Sequence, residues 1–180
     1  ASSLDQPSTA GTVASYRYHA LSYNSEIVSV DVHSPSPGVV RIYPLLRGGD
    51  IPDEPFLAGL LAYMEDDERH VICDTISCVQ PAASTFTVSV RLDFYASEAA
   101  REAETVVEAE RLITEWASVI KEKLKKDIIP EEIVNLCQGL PGVYRVRVLS
   151  PAWTQVGVGS FPSCTSIDVQ VGVEYDEEAR

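Results

Sequence analysis

The run Ser97-Glu98-Ala99-Ala100-Arg101 through Ile120-Lys121-Glu122-Lys123-Leu124-Lys125-Lys126 holds no glycine or proline, and the rest of the chain is read outward from it. Apolar residues return at Ala99, Ala103, Val106, Ile113, Trp116, Ala117, Ile120 and Leu124, the three- and four-residue steps that draw one helical face. Glu102, Glu104, Glu108, Arg111, Glu115, Lys121 and Lys125 fill the gaps. Acid leads and lysine closes, the order that suits the helix dipole, and Ser97 stands where an N-cap belongs. At about 1.5 Å per residue this predicts a helix on the order of 45 Å long. A hundred-residue domain has a radius of gyration of about 13 Å, so such a helix spans more than one packing unit or leaves one end for a partner.

Around it the pattern predicts an α+β fold: two small units of antiparallel sheet with helices packed on one face, the long helix in the second. Residues 1–14 read as a linker or truncated helix, 15–81 as the first unit, 82–175 as the second and 176–180 as an acidic tail. In the first unit, Ser15–Asn24 sets Tyr16, His19, Ala20 and Tyr23 on a helical stripe. Glu26–His33 alternates Ile27, Ser29 and Asp31 against Val28, Val30 and Val32, a strand with one wet face. Ser34-Pro35-Ser36-Pro37-Gly38 turns the chain into a second strand, Val39–Leu45, giving a hairpin. Pro52-Asp53-Glu54-Pro55 opens a helix buried through Phe56, Leu57, Leu60, Leu61 and Met64, and Val71–Val79 follows as a strand.

Thr85–Tyr95 alternates Phe86, Val88, Val90, Leu92 and Phe94, the clearest strand signal in the chain. After the long helix, Pro130 starts a short helix through Ile133, Leu136 and Cys137, which Gly139 ends. Val143–Leu149 and Ser166–Tyr175 then form strands joined by a loop rich in Gly and Pro. The stretch from Glu26 to Pro35 is similar to that from Gly142 to Pro151, each following a short helix and ending in Ser-Pro. This repeat predicts a second hairpin matching the first.

Charge and composition exclude several functions. The net charge of −13, from 27 acidic and 14 basic residues, argues against a nucleic-acid binder. No apolar run approaches the roughly 20 residues of a membrane span, and Ala1–Ala14 lacks the basic start and apolar core of a signal peptide. Cys73, Cys78, Cys137 and Cys164 form no C-x-x-C pair and read as buried thiols. His19, His33 and His70 lack metal-ligand spacing, and Glu65-Asp66-Asp67-Glu68 lacks the glycine and alternating ligands of a calcium loop. Arg47-Gly48-Gly49-Asp50 carries no phosphate-loop pattern, and no G-x-S-x-G elbow is present. The expectation is a protein with no cofactor, no metal and no enzymatic site.

Ser8-Thr9-Ala10-Gly11, followed by Tyr16-Arg17-Tyr18-His19-Ala20-Leu21-Ser22, resembles a signature of the baseplate J-like proteins of contractile-tailed phages. Three further stretches resemble that family in the same order. They are Ser36-Pro37-Gly38-Val39-Val40 through Leu46, Val79-Gln80-Pro81-Ala82, and Leu140-Pro141-Gly142-Val143-Tyr144-Arg145-Val146 with Leu149-Ser150-Pro151-Ala152. The placement of the cysteines and the Asp127-Ile128-Ile129-Pro130 segment depart from the pattern. The resemblance implies the C-terminal portion of a structural protein of the virion tail baseplate, assembled in the bacterial host cytoplasm. Its implied partners are other baseplate wedge proteins and itself, in a dimer or ring contact.

An assembly surface is expected at Ile120, Lys121, Leu124 and Lys125, where the apolar stripe outruns its own domain, and at Trp153 and Tyr144. Three other readings stay open. A tailocin or related contractile machine uses similar parts. A peptide- or carbohydrate-binding module would use Trp153, Phe161 and Tyr144 as exposed anchors. An enzyme would need His19, His70 or a cysteine gathered with carboxylates.

Overall fold

The computed structural model describes residues 13–66 and 74–176; the expectations placed on residues 1–12, on 67–73 with His70 and Cys73, and on 177–180 lie outside the described residues. Two compact units are present. One takes the chain up to Ala83 together with Glu122–Lys125 and Gly157–Phe161; the other takes Ser84–Lys121, Lys126–Val156 and the chain from Pro162 onward.

In the first unit, α1 (Val13–Tyr23) leads into β1 (Ile27–Ser36) and β2 (Val39–Leu46), an antiparallel hairpin. After a short 3-10 turn at Arg47–Gly49, α2 (Glu54–Met64) returns the chain to β3 (Thr75–Cys78). The α2 start is set by Asp53, whose carboxylate accepts the Phe56 amide at 3.0 Å, with Pro55 in the first turn. Because α2 carries the chain back across the sheet, β3 pairs with β2 in parallel, so the sheet of order β1-β2-β3 is mixed where an antiparallel one was expected. A register shift between Ile27 and Ser29 replaces strict alternation, so that Ile27 joins Val30 and Val32 in the core. Tyr16 and Ala20 of α1, Ile42 of β2, Leu60 and Met64 of α2 and Ile76 of β3 complete that core.

The second unit is built on β4 (Ala82–Tyr95), whose first two residues count with the first unit. Its inward row of Val88, Val90, Leu92 and Phe94 packs on Ala109 and Ile113 of α3 (Glu102–Lys121) and on Ile133 and Cys137 of α4 (Pro130–Cys137). A 3-10 turn over Ala96–Arg101 precedes α3, so Ser97 caps no α-helix. Trp116 packs edge-on against Phe86, and its indole donates to Glu132 of α4 at 2.8 Å.

β5 (Val143–Ser150) pairs antiparallel with one edge of β4, and β6 (Ser160–Tyr175) takes the other edge. The Thr165 hydroxyl bond to the Phe86 carbonyl, the Arg91–Gln170 bond and the Val173 amide bond to Asp93 advance together along both strands, so β6 runs parallel to β4. The expected β5–β6 hairpin is therefore absent, because β4 lies between the two strands. The repeat survives only as position: β1 and β5 each follow a helix and form the antiparallel edge of a mixed three-stranded sheet.

The long helix is also shorter than expected. The 20 residues of α3 amount to about 30 Å. Beyond Lys121 the chain is captured by the first unit. The Glu122 carboxylate accepts the Gly48 amide at 2.6 Å, the Leu124 amide donates to the Ser29 hydroxyl at 3.2 Å, and the Lys125 amide donates to the Ser160 carbonyl at 2.8 Å. Lys125 itself adopts a left-handed φ of 58°, which no continuing α-helix permits.

Candidate interaction surfaces

In the second unit, the chain after β5 forms a loop that is braced from below. Thr154 and Ile128 exchange two backbone hydrogen bonds of 3.0 and 2.9 Å, and the Val156 amide donates to the Asp127 carboxylate at 2.9 Å. Ile128 and Val156 are buried, while Trp153 between them stands 60% exposed. An indole held open to water on a fixed backbone loses little conformational freedom on meeting a partner, which is what a contact anchor requires. Tyr144 is placed differently. Its ring is half-buried between Tyr95 and Tyr175, with centroids 5.3 and 4.2 Å away, so it belongs to an intramolecular aromatic cluster.

The stripe at the end of α3 divides. Ile120 is 2% exposed and therefore presents nothing to a partner, a correction to the expected surface. Lys121 is half-buried at the last turn. Leu124 and Lys125 instead line a groove of about 450 Å³ in the first unit, facing Arg17 and Leu21 of α1 and the Val28–Asp31 stretch of β1. Arg17 is fixed there by its Nε, which donates to the Val30 carbonyl at 3.2 Å. That carbonyl stands opposite Pro44, which has no N–H to offer it. Asp31 lies buried in the wall, accepting the Gly159 amide at 2.9 Å, with the Lys125 ammonium 3.8 Å from its other oxygen.

A second buried carboxylate, Asp93 on β4, accepts the Val173 amide at 2.9 Å and a guanidinium N–H of Arg147 at 2.5 Å. The pair is single-pronged: Asp93 Oδ2 and Arg147 Nε make no hydrogen bond. Burial pushes the Asp93 carboxyl up, but the Val173 amide, Arg147 and the nearby Arg145 outweigh it and hold the group below the usual carboxylate range. Gly172 is required beside it, since a methyl there would overlap the carboxylate.

Burial first, and the charge of Glu65 second, push the Cys78 thiol up to about 12; burial pushes Cys137 up to about 11 and also raises Cys164. Such thiols are neutral at pH 7 and poor nucleophiles. Among the described residues no three His, Cys, Asp or Glu side chains gather as a metal site. His19 packs edge-on against Tyr18, and His33 pairs across the hairpin with Arg41. No described helix is long and apolar enough to cross a membrane. Arg17 and Leu21 stood in the sequence only as part of the quoted family signature, and Asp31, Asp93 and Arg147 were not singled out as site residues, since sequence offers no signal for a charge buried in a strand of valines.

The stretch that builds α1, both hairpin strands, α2 and β3 also matches a known family model, over residues 8–89. That model describes a Baseplate J-like central domain, and the stretch is similar to it. The matched residues supply Arg17, Leu21 and the β1 wall of the groove, whereas Leu124 and Lys125 arrive from outside them. Among solved structures, a chain of the sixfold-symmetrised cryo-EM structure of the anti-feeding prophage baseplate shares the fold. It matches 85% of this chain with a TM-score of 0.61 at 12% identity. The present chain spans 37% of that chain's length. No curated protein matches the sequence.

Proposed function

We propose that this chain is a structural part of a contractile-tail baseplate, the C-terminal portion of a baseplate J-like protein that joins wedges into a ring and performs no catalysis. The observation that carries the reading is the Baseplate J-like match over residues 8–89 on a fold shared with a baseplate chain. Its partners are other baseplate proteins and further copies of itself, and its place is the tail baseplate, assembled in the host cytoplasm. Trp153 on its braced loop supports the reading, being the kind of rigid aromatic anchor that protein contacts use. The prophage origin of the solved relative favours a second, narrower version, in which the plate belongs to a phage-derived contractile machine.

Trp153→Ala in the producing strain tests this. The purified variant is expected to keep its melting temperature while assembled plates, counted by electron microscopy, fall several-fold. Normal plate numbers from a strain lacking this chain altogether would overturn the proposal.

A further inference from the structure

The groove beside β1 has a chemistry that the baseplate reading does not use. Its floor is the edge strand of the first sheet, with Val28 and Ser29 on the lining, and its sides are Arg17 and Leu21 of α1 and Leu124 and Lys125 of the captured segment. Apolar surface comes from Leu21, 39% exposed, and from the half-buried Leu124. Charge comes from two cations and one acid. Arg17 is exposed, and its bond to Val30 engages only Nε, so the terminal nitrogens are not used by that bond. The Lys125 side chain is 51% exposed, while that of Asp31, its counter-ion at 3.8 Å, is 5% exposed and already accepts the Gly159 amide. The solvent-facing charge of the groove is thus positive, in a molecule whose net charge is −13.

We infer that this groove binds an acidic, extended segment of a partner protein, with one carboxylate taken by Arg17 and Lys125 and one apolar side chain laid against Leu21 and Leu124. A basic segment would meet two cations. A neutral one would desolvate both without replacing their hydrogen bonds to water, which is unfavourable. An arginine pre-set by a backbone bond and a lysine held on a fixed left-handed turn lose little freedom on binding. Guanidinium–carboxylate hydrogen bonds are charge-assisted, roughly twice as strong as neutral ones. The volume of about 450 Å³ suits a few side chains. The inference rests on the baseplate reading only for which kind of protein brings the segment.

The test uses the purified chain and two capped peptides, Glu-Leu-Asp-Glu-Leu and its isostere Gln-Leu-Asn-Gln-Leu, titrated by two-dimensional NMR. The acidic peptide is expected to shift amides of Arg17, Leu21, Ser29 and Leu124, and the isostere to bind about tenfold more weakly, consistent with the loss of a charge-assisted contact. Arg17→Gln and Lys125→Gln should each weaken the acidic peptide about tenfold, while Arg17→Lys retains part of the binding and Lys123→Gln changes nothing. Melting temperatures of the variants verify folding. Equal binding of the two peptides, shifts elsewhere on the surface, or no binding of either at millimolar concentration would overturn the inference. None of these outcomes depends on whether the chain is found in a tail particle.

Discussion

Asp31 and Asp93 are both buried carboxylates on β-strands, and each accepts a backbone amide from a segment far along the chain, Gly159 and Val173 respectively. Their compensation differs. Asp93 sits fully buried on the central strand β4 and is met by Arg147 at 2.5 Å, with Arg145 behind it. Asp31 sits on the edge strand β1 and has a half-exposed lysine at 3.8 Å, beyond hydrogen-bond length. Asp93 has the closer guanidinium; Asp31 is held by an amide and a loose cation. One is a lock within a sheet. The other is a latch on two captured segments, Glu122–Lys125 and Gly157–Phe161.

This contrast breaks first at Asp93. Asp93→Ala strands Arg147 and the Val173 amide, and is expected to cost about 3 kcal/mol in urea unfolding, the low end for a broken buried pair because Arg147 stays 32% exposed. Asp31→Ala should cost less, about 1.5 to 2 kcal/mol, the low end for one amide bond to a charged acceptor. Equal losses for the two variants would end the comparison. Acid sharpens it further. The Asp93 carboxyl is depressed below its ordinary 3.8, so its contribution is whole above that pH and is lost as the pH falls through the folded value. Stability differences between the native chain and Asp93→Asn should therefore shrink below pH 3.8; a gap that stays constant through that range would contradict the assignment. The smallest effect is expected at Trp153→Ala, within about 0.5 kcal/mol by thermal melting, since an exposed ring leaves no cavity.

Local pattern revealed the elements and hid their partners. The alternation from Phe86 to Phe94 and the Leu57, Leu60, Met64 stripe were legible because each follows a single period. The parallel placement of β3 and β6 was not, because pairing over such separations leaves no local trace. The helix end was misjudged for a related reason. Ile120 and Leu124 continue one stripe in sequence, yet three hydrogen bonds to Gly48, Ser29 and Ser160 turn the chain after Lys121, leaving Ile120 buried and Leu124 in the groove. The exposed Trp153 was visible as a candidate, since Pro151 and Gly157 bracket it in a loop. Asp31 and Asp93 read as ordinary wet-face residues, because burial of a charge depends on partners 128 and 80 positions away.

The most direct measurement is to locate the chain in intact particles. Contractile particles purified from the producing strain, with an epitope tag on this protein, would be labelled with gold-conjugated antibody and imaged. The account predicts gold at the plate end of the tail, and peptides of this chain in the mass spectrum of the particles. Particles complete in their plates but free of both label and peptides would contradict it.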